Sequence, residues 1–253
     1  MRISRTMPPA PGDIVLDRDF SPAGSPMEFI GEQSDFYRFL SASSLSNATL
    51  IKKMSAIGFL LRNKAPRNLM LRAFICVNDA DDDADDTECY GKSLFADAIS
   101  QYCTTVIIDG RALYNDDFAL SSVRKDTQLL HVEGLPRPDV APLLNLCSAD
   151  WTINRKGRDP LHISLEDAPY IILTSNRPAS FLMRYRAFRS RVVPLEFSPF
   201  FGPENPIHEY LGRYMFIGWD KEQWHMFDNL MLYCVLEYTA SVAKGEDIFF
   251  LYK

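Results

Sequence analysis

The chain has 253 residues, 47% of them apolar and 24% charged, with a net charge of −6, which suits one large globular domain with small appendages. It holds no run of about 18 apolar residues, so no membrane span is expected, and its Pro- and Gly-rich start (Pro8, Pro9, Pro11, Gly12) argues against a signal peptide. Cys76, Cys89, Cys103, Cys147 and Cys234 form no CxxC pair, which points to a reduced, cytoplasmic compartment with neither a disulfide scaffold nor a zinc site.

Residues 1–34 lack sustained periodicity and read as an arm or linker. Residues 35–66 form a small helical segment: the pattern from Phe36 to Arg62 is helical, with Ile51, Met54, Ile57 and Leu61 recurring at helical spacing. Residues 67–203 alternate strand and helix signals. Leu69–Val77 is an apolar strand, followed by a loop that ends in Gly91-Lys92-Ser93. Leu94, Phe95, Ala98, Ile99 and Tyr102 then share one helical face. Thr105–Ile108 and Leu129–Val132 are further strands, and Val140, Leu143, Leu144 and Cys147 suit a helix. Tyr170–Thr174 and Val192–Phe197 complete the set, Pro194 marking the last as an edge strand. This alternation predicts an α/β fold, a parallel sheet sandwiched by helices, with helical flanks on both sides. In residues 204–253, Asp220 and Gln223 form a capping-box signature. Trp224, Phe227, Met231, Cys234, Val235 and Tyr238 follow as a stripe that packs on a core.

Charge is unevenly spread. Asp79, Asp81, Asp82, Asp83, Asp85, Asp86 and Glu88 crowd one loop. A calcium-loop reading of these acids fails, because Ala84 stands where the turn needs Gly and Tyr90 where it needs Glu. Basic residues gather at Lys52/Lys53, at Arg155/Lys156/Arg158 and at Arg184/Arg186/Arg189/Arg191, so a nucleic-acid surface is permitted though not required.

Three strand ends carry chemistry. Gly91-Lys92-Ser93, between a strand and a helix, has the residue types of a phosphate-binding loop. Such a loop uses backbone N–H groups and a helix N-terminus for the anion, a lysine for the β/γ-phosphates and a hydroxyl for Mg²⁺. The full pattern would put its first Gly at Asp86, a departure. Glu133 closes the strand Leu129–Val132 and can hold Mg²⁺ through water. Asn176, after Tyr170–Thr174, can orient an attacking water; a plain Ser-Asn turn is the bland alternative.

This series, with the arginine-rich stretch that follows, resembles the motifs of superfamily-three helicases, of the AAA+ class. More particularly it is similar to the helicase part of primase-helicases from Bacteroidetes phages and mobile elements. The likeness runs over about residues 36–243 and rests on Ala56–Leu61, Gly91–Phe95, Asp150–Gly157, Ala168–Asn176, Glu196–Phe201, and Trp219-Asp220 with Trp224. The resemblance implies ATP and Mg²⁺ as cofactors, with Gly91, Lys92 and Ser93 at the phosphates and Ser93 and Glu133 at the metal. It makes Asn176 a sensor and Arg189 or Arg191 a finger that reaches a neighbouring subunit's γ-phosphate in a homo-oligomeric ring, a hexamer. Thr152–Arg158 becomes a hairpin whose Arg155, Lys156 and Arg158 grip single-stranded DNA, Lys156 leading. The setting implied is phage or mobile-element DNA replication in a bacterial host cell; no primase motif is present, so a primase partner is missing or encoded separately. The chain departs from the family where a second acid is usual, at Gly134. A degenerate ATPase that binds nucleotide or DNA without turnover is therefore the rival reading. A P-loop kinase fits the asparagine and the arginines less well.

Overall fold

Apolar strands that alternate with amphipathic helices should build a parallel sheet, and they do. The structure, a computed structural model, describes residues 31–62, 71–78, 90–135, 140–176, 185–246 and Phe249. The acidic loop from Asp79 to Glu88, most of the N-terminal arm, Leu69 and Met70 of the first predicted strand, Cys89 and Arg184 lie outside the described residues. The strands are β1 (Ala73–Asn78), β2 (Thr105–Asp109), β3 (Leu129–Glu133), β4 (Trp151–Arg155), β5 (Arg158–Ile163), β6 (Tyr170–Thr174) and β7 (Val192–Phe197). The helices are α1 (Asp35–Ala42), α2 (Asn47–Leu61), α3 (Lys92–Ser100), α4 (Ala112–Asn115), α5 (Val140–Ser148), α6 (Arg186–Arg189), α7 (Ile207–Leu211) and α8 (Lys221–Ala243). The chain divides into two compact units, Ala65–Glu88 with Lys92–Glu196, and Met1–Lys64 with Cys89–Gly91 and Phe197–Lys253.

The first unit is an α/β sandwich around a parallel five-stranded sheet in the order β2-β3-β6-β1-β7. Every residue of β1 is buried, the mark of an inner strand covered on both faces. Side chains alternate across the sheet. Ala73, Ile75, Val77, Leu130, Val132, Ile171 and Leu173 point to one face and pack with Leu143, Leu146 and Cys147 of α5. α3 lies against β3 and β6, burying Phe95, Ala98 and Ile99 while Leu94 stays half-buried. β7 is an edge strand, where the missing N–H of Pro194 costs little.

The strand order also locates the site. The chain leaves β1 toward β2, past β6 and β3, but leaves β6 in the opposite direction, past β1 to β7. The carboxyl ends of β1 and β6 therefore flank a topological switch point, where open α/β sheets bind ligands.

β4 and β5 form a separate antiparallel hairpin, with Trp151 opposite Ile163, Thr152 opposite His162 and Ile153 opposite Leu161. Trp151, Ile153 and Ile163 anchor its base in the core of the unit. Gly157 turns the tip with φ +66°, a conformation that favours glycine.

The second unit is helical. The pattern from Phe36 to Arg62 resolves into two helices rather than one. The Ser43 and Ser44 hydroxyls both donate to Leu40 O, drawing the backbone out of the helix. Ser46 then caps α2, with Ser46 and Thr49 forming a reciprocal capping box. Ile57 and Leu61 of the expected α2 stripe are buried and Met54 is half-buried, but Ile51 is exposed, while Lys53 is fully buried. Lys53 is held there because its Nζ donates to Ser43 O at 2.7 Å and sits 3.9 Å from the centre of the Phe197 ring. α2 packs on α8, which begins with the expected box: Asp220 and Gln223 exchange hydrogen bonds of 2.9 Å. Phe227, Met231, Cys234 and Tyr238 of the α8 stripe are buried; Trp224 and Val235 are half-buried. No helix among the described residues is long and apolar enough to cross a membrane.

Candidate functional site

β1 and β6 run parallel, and their last register pair is Cys76 with Thr174. Two residues further on, Asn78 and Asn176 stand at equivalent places. Lys92, the first residue of α3, enters between them. Its Nζ donates to Asn78 Oδ1 at 2.5 Å and to Asn176 Oδ1 at 2.6 Å. Lys92 is buried, so its ammonium has exchanged water for amide oxygens. The next residue, Ser93, donates through Oγ to Glu133 Oε1 at 2.8 Å, joining α3 to the tip of β3.

Lys92, Ser93, Glu133 and Asn176, each proposed from sequence, thus meet at the carboxyl end of the sheet. Asn78 joins them unannounced. Its only sequence signal was a polar residue that closes an apolar strand directly before the acidic loop. Gly91, just before Lys92, has φ +80°. Within the helical unit its Cα faces Phe39 so closely that an added Cβ would lie 2.5 Å from Phe39 Cε2.

The site is acidic on its β2–β3 side. Asp109 of β2 pairs in register with Glu133, and its Oδ1 accepts the Arg111 backbone N–H. Asp97 lies one turn along α3 from Ser93; burial, and then the charge of Glu133, raise its carboxyl above the ordinary range. His131, two residues before Glu133 on the same face of β3, is held toward its neutral form by burial, which outweighs the pull of Glu133. Among the described residues, no three His, Cys, Asp or Glu side chains converge to hold a metal by themselves. The Ser93 hydroxyl and Glu133 carboxylate are nevertheless hard oxygen donors already in contact. They fit Mg²⁺, which binds through one or two carboxylates, water and substrate phosphates rather than an all-protein cage.

Gly134, directly after Glu133, has φ +66°, and its N–H donates to Thr174 Oγ1 at 3.0 Å. Backbone geometry, rather than a carboxylate, fills that position. Burial pushes the Cys103 and Cys147 thiols up to about 12, so neither is a nucleophile near neutral pH.

The arginines lie elsewhere. Arg191 O accepts the N–H groups of Arg72 and Ala73 at 2.8 and 3.0 Å, which sets α6 and the start of β7 beside the amino end of β1. The Asn78–Lys92 contact is at the other end of that strand, roughly 20 Å away for six residues at about 3.3 Å each. Arg191 Nη1 donates to Ala187 O and Ser190 Oγ, closing the end of α6; Arg189 is exposed. On the hairpin, Arg155 donates to Asp159 O through Nε and Nη2. Lys156 places its Nζ 5.3 Å from the centre of the Phe118 ring, and Arg158 is exposed.

No protein-family model matches the chain, and no curated protein matches it. Among solved structures, the chain is similar to the apo A form of the NrS-1 C-terminal region, with 11% identity and a TM-score of 0.44 over 86% of this chain and 46% of that one. It is also similar to JCV helicase bound to a thiazolopyridinyl-phenoxyphenyl acetamide, with 15% identity and a TM-score of 0.39 over 82% of this chain and 61% of that one. The chain spans less than two thirds of the length of either.

Proposed function

We propose that this chain is a P-loop ATPase domain that binds ATP with Mg²⁺ and drives movement on single-stranded DNA in phage or mobile-element replication. One observation carries the reading: the Lys92 ammonium sits between two strand-tip amides beside a bonded Ser93–Glu133 pair, at the switch point of a parallel sheet. Phosphate oxygens that arrive there meet the N-terminus of α3 and the Lys92 ammonium together. The Ser93 hydroxyl and Glu133 would hold Mg²⁺, which would supply charge to offset that developing on the phosphoryl group. Asn176 orients the attacking water, and exclusion of water around the buried Lys92 strengthens each of these contacts.

Completion of the site falls to a neighbour. The position of Arg189 near the amino edge of the sheet is too distant for its own phosphate site, which supports a finger supplied in trans within a ring, as in a hexamer. The Arg155–Arg158 turn, with Lys156 and Arg158 exposed, suits the phosphate backbone of single-stranded DNA. The second reading, a nucleotide-gated assembly or DNA-binding module with little turnover, is favoured by the left-handed Gly134, which offers no second carboxylate. Measuring ATP turnover with and without single-stranded DNA separates the two. A motor is stimulated by DNA; the module binds ATP and does not turn it over.

A further inference from the structure

We infer that Asn78 is a nucleotide-contacting residue whose side-chain NH₂ donates to the phosphate oxygen that Lys92 also serves. The inference rests on the phosphate-site reading above and deepens it. Asn78 is 3% exposed. Its amide oxygen accepts from Lys92 Nζ, a group that can only donate, so the oxygen must face the lysine and the NH₂ must face away. Among the described residues, that buried Nδ2 has no hydrogen-bond partner.

Native proteins rarely bury an unsatisfied donor, and where they do a bound water, an ion or a functional role is the usual explanation. Packing does not account for it, since a leucine fills nearly the same volume without a polar atom to desolvate. Strand alternation puts the side chain on the face that carries α3 rather than among Ala73, Ile75 and Val77. Oxygen and NH₂ share one carbon of a planar amide, so an anion that accepts from Lys92 can come within reach of the NH₂. A phosphate oxygen is the fitting partner: it only accepts, it carries charge, and a lysine already marks its place. Asn176 is only partly buried, whereas Asn78 is buried with its NH₂ unpaired among the described residues.

The test is calorimetric titration with Mg²⁺-ATP of the parent, Lys92→Ala, Asn78→Asp and Asn78→Leu, with thermal unfolding of each. Asn78→Asp keeps an oxygen for Lys92 but loses the donor; Asn78→Leu removes the unpaired group altogether. Both should bind ATP about ten- to hundredfold more weakly, the loss expected for one hydrogen bond to a charged acceptor. Asn78→Leu also takes an acceptor from the buried Lys92 ammonium, so it should unfold below the parent. If Asn78→Leu does not fold, Asn78→Asp alone decides. If Lys92→Ala loses ATP while the Asn78 variants bind within about twofold of the parent, Asn78 is structural and only this inference falls. If the parent binds no ATP, the phosphate-site reading falls and takes this one with it.

Discussion

Asn78 closes β1 and Asn176 stands two residues beyond the neighbouring parallel strand β6, and each turns its amide oxygen to the ammonium of Lys92. The two amides hold a buried lysine in place between the strand tips. The lysine is thereby set for an anion before one arrives, and little reorganisation is left to oppose binding.

Gly134 sets the expected rate. Its left-handed φ strains any other residue, although no atom lies within 4 Å of an added Cβ and aspartate tolerates this region better than most. Gly134→Asp should cost about 1 kcal/mol of stability and raise ATP turnover by adding the second acid. Steady-state ATPase assays beside thermal melts check both parts. Slower turnover in a folded Gly134→Asp would mean that Glu133 suffices alone.

The two arginines should separate. Arg191 ties the end of α6 through Ala187 O, so Arg191→Ala should lose about 1 kcal/mol of stability. Arg189→Ala should lose activity. Mixing Lys92→Ala chains with Arg189→Ala chains should restore part of the turnover, because some interfaces then carry both groups. A protein that stays monomeric in light scattering with an ATP analogue and single-stranded DNA counts against the shared site.

Lys156→Ala should weaken single-stranded DNA binding evenly across sequences and leave ATP affinity alone. Phosphate contacts carry no sequence information, and the loss of one lowers the salt slope by about 0.7. Unchanged binding through a salt titration would make the Lys156–Phe118 contact merely structural.

Gly58 lets α2 and α8 approach. A Cβ there would lie 2.2 Å from Cys234 O and 2.5 Å from Tyr238 Cβ, the first of these a backbone atom with little room to yield. Gly58→Ala should therefore destabilise by about 1–3 kcal/mol through overpacking, despite a gain of about 1 kcal/mol in helix propensity. Chemical denaturation measures it; a stabilised variant would show that the helices part without cost.

Local signals carried most of the fold. Tyr170–Thr174 formed the strand that its apolar run predicts. Asp220 with Gln223 formed the expected box, and Trp151 through Ile163 folded as a hairpin about Gly157. Each of these depends on neighbours a few residues away. What stayed hidden depends on distant partners. The burial of Lys53 needs Ser43 and Phe197 brought to it, and no periodicity shows that a lysine rather than Ile51 faces inward. Asn78 is the same case within the candidate site. A polar residue at a strand end is ordinary until the register of β1 with β6 sets it opposite Asn176, with Lys92 between.

The measurement closest to the central claim is ATP binding and turnover by the parent and by Lys92→Ala, each with and without single-stranded DNA. The parent should bind Mg²⁺-ATP and hydrolyse it faster with DNA present. Lys92→Ala should fold, lose a charge-assisted phosphate contact and bind ATP about ten- to hundredfold more weakly. ATP affinity equal in the two proteins would contradict the assignment of Lys92 to the phosphates, and with it the reading of this site as a P-loop.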